Sequence, residues 1–161
     1  LLYGGDRFES RDRLLALVTD HDLVILDRYV ASNIAYNAAK VPGHEQADLI
    51  TWIDQLEFGM FDLPRPDLTL LLATSTALAD RLVGEKAARS YTDQTRDMHE
   101  ANRGYLDQVA YVYGQLAAAG GDSWLTVDPT DSSGNLRPPD DIAAGIWLHP
   151  RLAGLGHIRS T

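Results

Sequence analysis

Leu23-Val24-Ile25-Leu26-Asp27-Arg28-Tyr29-Val30-Ala31-Ser32-Asn33-Ile34-Ala35-Tyr36 opens on four consecutive apolar residues that stop at an acidic one. A short unbroken apolar run of this kind reads as a strand buried on both faces, the habit of parallel sheets. Downstream, Pro64-Arg65-Pro66-Asp67 interrupts the chain and Leu68-Thr69-Leu70-Leu71-Leu72 forms a second such run. Trp124-Leu125-Thr126-Val127 makes a third. Strands separated by helices imply crossover connections and a parallel sheet. Open sheets of this type bind ligands at the carboxyl ends of their strands. Asp27, Thr74 and Asp128 follow the three runs, so a site is expected there.

The intervening segments carry helical spacing. From Asp6 to Thr19, Leu14, Leu15 and Val18 fall on one side with charges between them. Gln46 to Met60 places Leu49, Ile50, Ile53, Leu56 and Met60 along a stripe, and Ser75 or Thr74 can cap a helix from Ala77 to about Leu82. Met98, Ala101, Tyr105, Val109, Val112 and Leu116 repeat along a long helix from about Arg96 to Ala118, which Gly120-Gly121 ends. Pro138-Pro139 leads into a last helix from Asp140 to about Leu148. Val83 to Thr95 is polar and reads as a mobile loop.

At 161 residues the expectation is one domain with a real core, and the 45 % apolar share argues against disorder. No apolar stretch approaches the roughly 20 residues that span a bilayer. The opening Leu1-Leu2-Tyr3-Gly4-Gly5-Asp6-Arg7 lacks the basic leader and apolar core of a signal peptide. The absence of cysteine removes disulfides and thiolate metal sites, and fits a cytoplasmic protein. The five histidines are scattered without metal-ligand spacing. A net charge of -9 speaks against general nucleic-acid or anionic-membrane binding. It leaves room for a small anionic substrate held by a few arginines, for which Arg7, Arg28, Arg81, Arg89 and Arg96 are candidates.

Asp27 and Arg28 carry the most chemistry. Charges at the exit of a buried strand are costly unless partnered by each other or by a ligand. Arginine offers a planar fork that matches phosphate oxygens, and aspartate can hold a magnesium-bound water or a substrate hydroxyl. A structural ion pair at the sheet edge is the alternative. Glu57 falls on the apolar stripe of its helix, seven residues after Ile50 and four after Ile53. A buried carboxylate needs a partner; a structural ion pair is favoured over support of a site.

The Asp-Arg-Tyr after the apolar run, followed by Ser32, Asn33 and Tyr36, resembles the acceptor motif of thymidylate kinases, especially the actinobacterial ones. The likeness includes Leu1 to Arg7, Trp52, Glu57, the Pro66 to Leu72 segment, and Asp97 with Glu100. It implies a three-layer α/β fold with a parallel sheet, of the P-loop nucleoside-monophosphate-kinase type. It also implies ATP- and Mg²⁺-dependent phosphorylation of dTMP to dTDP in nucleotide biosynthesis. Carried over by position, Tyr3 stands where the family stacks a phenylalanine on thymine, and Arg7 bonds a thymine carbonyl. Asp27 lies near the magnesium and the acceptor phosphate, and Arg28 clamps that phosphate. Ser32 belongs to the same motif. Asn33 can offer donor and acceptor to the base edge, and Tyr36 lies against the sugar at C2′. For Tyr3 and Tyr36, ordinary core packing is the bland alternative.

Around residues 83–96 the chain resembles the family's lid over the ATP phosphates, where cations act by electrostatics and positioning. Arg89 and Arg96 are assigned there as catalytic, with Arg81 and Arg89 on ATP; Arg81 and Lys86 also fit solvated charges. Relatives carry more lid arginines. Asp97 and Glu100 share a helix face and match a substrate-binding Asp-x-x-Glu pair, with His99 in place of tyrosine and Glu100 a second metal candidate beside Asp27. A solvated acidic face is the alternative.

A kinase of this class uses a Gly-x-x-x-x-Gly-Lys-Ser/Thr loop to cradle ATP phosphates, and no segment of residues 1–161 matches it. The sequence is therefore expected to be an N-terminally incomplete domain, inactive by itself. Family analogy and the apolar faces of the first helices point to a homodimer. The rival readings are a deoxynucleoside kinase and a nucleotide-binding relic without transfer.

Overall fold

In the computed structural model, the described residues are 2–74, 78 and 96–152, with side chains described for 4–74, 78 and 103–152. By its contacts the chain divides into two compact units, one formed by Leu1–Asp67 and the other by Leu68–Gly154.

The first unit is helical. Its helices are α1 (Leu2–Glu9), α2 (Arg11–Asp20), α3 (Val30–Ala38) and α4 (Gly43–Asp54), the last continuing into a π-helical turn, Gln55–Met60. The single helix expected from Asp6 to Thr19 is broken at Ser10, whose ψ of 1° departs from helical values. Ser10 N still donates to Asp6 O at 3.1 Å, so the chain bends there without losing its ladder. Val30, Ile34, Ala35 and Ala38 make the buried face of α3, which packs on α4. Ile53 and Leu63 complete this core. Pro42 sets the entry to α4, and Glu45 in its first turn complements the helix dipole.

Two expectations fail in this unit. Residues 23–26 make no strand: among the described residues no ladder partner lies beside them, and Ile25 is 78 % exposed. An apolar run becomes a buried strand only where neighbours pair with it and helices cover it. The stripe from Leu49 to Met60 also goes out of phase. Ile53 is buried but Met60 is exposed, because the wider π turn rotates the last residues. Phe61 N reaches back five residues to Leu56 O at 2.8 Å. Glu57 remains on the inner face, fully buried.

The second unit holds the sheet. Strands β1 (Thr69–Leu72) and β2 (Trp124–Val127) pair in parallel, in register from Thr69 with Trp124 to Leu72 with Val127. A parallel pair needs a long crossover, which includes α5 (Arg96–Gly120), packed on β2. Val109 and Val112 form the buried seam of α5, with Tyr105 and Leu116 half-buried beside it. The runs were expected to be buried on both faces, yet β1 alternates, with Leu70 and Leu72 exposed. With β2 its one partner among the described residues, only one set of side chains is covered.

Gly120-Gly121 ends α5 as expected. Gly121 takes a φ of +52°, a left-handed value that suits glycine. A Cβ at Gly120 would stand 2.0 Å from Trp124 Cδ1, so the indole at the start of β2 requires a bare backbone there. Helix α6 (Pro139–Trp147) closes the unit, with Pro139 at its first position and Asp140 and Asp141 in its first turn. No helix among the described residues is long and apolar enough to cross a membrane.

Candidate acceptor site

Glu57 organises the first unit's polar centre. The carboxylate has no exposed surface, yet both oxygens are satisfied. Arg7 of α1 approaches fork to fork: Nε donates to Oε2 at 2.6 Å and Nη2 to Oε1 at 2.5 Å. Asn33 of α3 donates from Nδ2 to the same Oε1 at 2.5 Å. One turn on, Asn37 Nδ2 donates to Asn33 Oδ1 and to Asn33 O, both at 2.8 Å. Charge-assisted, bidentate bonds of this type are the strong ones in a protein interior. They hold together three elements that the sequence keeps apart.

Tyr29 stands near the network at the start of α3. Its hydroxyl donates to Pro64 O at 3.1 Å, and its ring meets Phe58 edge-on at 6.2 Å. Burial pushes the phenol up to about 12; the Arg7 guanidinium opposes that rise and the Glu57 carboxylate adds to it. Beside the network is a cavity of about 290 Å³, whose lining combines the polar Asn33, Asn37, Lys40 and Glu57 with apolar residues such as Leu49, Trp52, Ile53, Leu56 and Phe61. Its mixed lining suits a partly apolar group with a polar edge.

Arg28 stands just before α3, next to Tyr29. Its φ is 65°, a left-handed conformation uncommon outside glycine and asparagine. Its guanidinium lies over the Tyr36 ring, 5.4 Å from the centroid. Both Asp27 and Arg28 are exposed, and no ion pair joins them among the described residues. The sheet-edge ion pair is thus absent, and so is the buried strand exit on which it rested. An exposed arginine in a strained backbone is a familiar sign of a residue kept for a ligand.

Ser32 and Tyr36 lie half-buried on α3, four residues apart, next to the stripe of Asn33 and Asn37. The structure therefore gathers Arg7, Asn33 and Glu57 into one network, and pairs Arg28, which precedes α3, with Tyr36 on that helix. Arg81, Lys86, Arg89 and residues 83–95 of the lid segment lie outside the described residues. Tyr3 on α1, and Arg96, Asp97 and Glu100 on α5, are placed by backbone alone. At the ends of the strands, Asp128 is engaged locally. Its carboxylate accepts from Thr130 Oγ1 at 2.6 Å and Thr130 N at 2.9 Å, which draws its pKa below the usual range. That is a turn-forming role. Asn37 and Tyr29 were not assigned roles from sequence, although Asn37 follows Asn33 at the i, i+4 spacing of one helix face.

A profile of the family described as "Thymidylate kinase" matches residues 1–137. The chain belongs to the thymidylate kinase family. A thymidylate kinase of Mycobacterium tuberculosis is 37 % identical over 144 residues, covering 86 % of this chain and 67 % of its own length. One from Dictyostelium discoideum is 34 % identical over 91 residues, covering 56 % of this chain and 36 % of its own length. A probable thymidylate kinase of Pyrobaculum aerophilum is 25 % identical over 147 residues, covering 91 % of this chain and 64 % of its own length. The chain thus spans about two thirds of its mycobacterial relative. Membership in the thymidylate kinase family brings the P-loop nucleoside-monophosphate-kinase fold, with which the parallel β1–β2 pair agrees, and the class of a phosphotransferase.

Proposed function

We propose that residues 1–161 carry the acceptor site of a dTMP kinase, which transfers the γ-phosphoryl group of ATP to dTMP. The Arg7–Glu57–Asn33 network beside its cavity is the observation that carries this reading. Arg7 and Asn33 would bond the thymine edge, Tyr3 would stack on the ring, and Tyr36 would lie against the sugar. Arg28, with Ser32 near it on α3, would hold the acceptor phosphate.

In the transfer, an oxygen of the dTMP phosphate attacks the γ-phosphorus, the bond to the β-phosphate oxygen breaks, and ADP leaves. The nucleophile is already an anion, so no strong general base is needed. Arg28 would offset the repulsion between the two phosphates, and Arg89 and Arg96 would act on the transferred group. Magnesium is held in such sites by one or two carboxylates with substrate phosphates and water. Asp27 fits, since it is exposed and in no ion pair among the described residues; Glu100 is the second candidate. Bound there, the metal would neutralise phosphate charge. Arg81 and Arg89 would face ATP, and Asp97 the acceptor. The Gly-rich donor loop would come from sequence outside residues 1–161. A homodimer is proposed from the exposed Phe8, Leu17 and Val18 of the first helices, and a cytoplasmic setting from the lack of cysteine.

Incubating the full-length protein with ATP, Mg²⁺ and dTMP, and separating products by ion-exchange chromatography, tests the reading. dTDP is the expected product. Turnover of thymidine in place of dTMP would assign a deoxynucleoside kinase instead.

A further inference from the structure

The network constrains the order of donors and acceptors that Arg7 and Asn33 can show to a ligand. Arg7 donates Nε–H and one Nη2–H to Glu57, which leaves the Nη1 hydrogens and the other Nη2 hydrogen for a ligand. Whatever faces that edge must accept. Asn33 is more subtle, because an amide can turn over and exchange its oxygen for its NH₂ at little cost in shape. Here both neighbours forbid the exchange. The Glu57 carboxylate, gripped on both oxygens by the guanidinium, offers only acceptors, so Nδ2 must face it. Asn37 Nδ2 then donates to Oδ1 on the other side. Oδ1 keeps one further lone pair, and a ligand meeting it must donate.

We propose that Glu57 is a specificity-positioning residue. By holding Asn33 and Arg7 in fixed orientations, it selects a pyrimidine whose N3 carries hydrogen and whose C4 carries oxygen. Thymine presents that order. Cytosine presents the opposite one, a bare N3 and a C4 amino group. It would set acceptor against Oδ1 and donor against Arg7. A site built to bond one pattern rejects the other strongly because its own polar groups go unpaired. Both Glu57 oxygens are engaged by Arg7 and Asn33, so it acts through the two residues it holds. The inference rests on the acceptor-site reading above.

Glu57→Gln offers Asn33 either a donor or an acceptor, so both amide orientations become possible. Asn37→Asp places an acceptor where Oδ1 now receives a donor, and drives the same exchange from a half-buried helical position that disturbs the core less. Calorimetric titration of the full-length protein and both variants with dTMP and with dCMP, alongside thermal melts, gives the test. The expected result is a fall of about tenfold or more in the dTMP-to-dCMP affinity ratio, the scale of one misdirected hydrogen bond, in each variant that folds. An unchanged ratio in folded variants, whatever their melting temperature, overturns the proposal and leaves Glu57 a structural ion pair. If Glu57→Gln does not fold, the ratio in Asn37→Asp decides in the same way. A wild-type protein that does not prefer dTMP over dCMP sinks the acceptor-site reading itself, an outcome visible before any variant is made.

Discussion

Arg7 and Glu57, fifty residues apart in sequence, meet fork to fork at 2.5 and 2.6 Å, and the carboxylate is completely buried. Removing one partner of a buried pair leaves the other charge without compensation, which costs about 3–5 kcal/mol. Arg7 keeps 19 % exposure, so the loss belongs at the lower end of that range. Glu57→Ala is expected to destabilise the protein by about 3 kcal/mol in urea unfolding. A loss below about 1 kcal/mol would mean that the pair is screened like a surface contact.

Tyr29 sets a different test, because its phenol is raised to about 12 while an ordinary tyrosine titrates near 10. The folded state keeps the proton that the unfolded state releases. Its contribution is therefore fully present below about pH 10 and lost as pH rises toward about 12. Tyr29→Phe should flatten the fall in stability across that window. An ultraviolet difference titration, wild type against Tyr29→Phe, should show one phenol ionising late. A Tyr29 that titrates with the exposed tyrosines would contradict the burial that raises it.

The sequence made some of this legible and hid the rest for identifiable reasons. Thr69–Leu72 and Trp124–Val127 could be read because Pro64, Pro66 and Gly120-Gly121 bound them and because their apolar character is local. Leu23–Leu26 has the same local character but no ladder partner among the described residues, and pairing is not encoded in four residues. The phase of α4 was readable up to Asp54, after which the π turn begins at Gln55. Glu57 was visible as a carboxylate on an apolar stripe, but its partners come from α1 and α3, a tertiary fact. Asn37 stood outside any motif, and its importance emerges only once Asn33 is seen to need a fixed amide.

Arg28 combines exposure, a φ of 65° and a place at the head of α3. Charge-assisted bonds to phosphate contribute roughly 1.5–3 kcal/mol each. Arg28→Ala should weaken dTMP binding about tenfold to a hundredfold and leave thymidine, which lacks the phosphate, nearly unchanged. Arg28→Gly should lose binding to the same degree and yet be the more stable of the two. A side chain in the left-handed region costs about 1–2 kcal/mol, and glycine's greater freedom in the unfolded chain returns only part of that. Equal weakening of both ligands would make Arg28 a structural residue.

A polypeptide of residues 1–161 alone is expected not to phosphorylate dTMP at a useful rate. It contains no Gly-x-x-x-x-Gly-Lys-Ser/Thr segment, so no ring of backbone N–H groups and no loop lysine would cradle the β- and γ-phosphates. Single preorganised donors in comparable oxyanion sites are worth about 2.7–4 kcal/mol each, and a loop supplies several. Alignment of the γ-phosphate for in-line attack would be lost as well. Acceptor binding draws on other residues, Arg7, Asn33 and Arg28, and should persist in part. The two functions thus separate: a coupled assay for ADP should read background for residues 1–161 and turnover for a form that includes a phosphate loop, while calorimetry detects dTMP binding to both. Comparable turnover by the two forms would show that the loop is dispensable, and the assignment of donor and acceptor roles would fall with it.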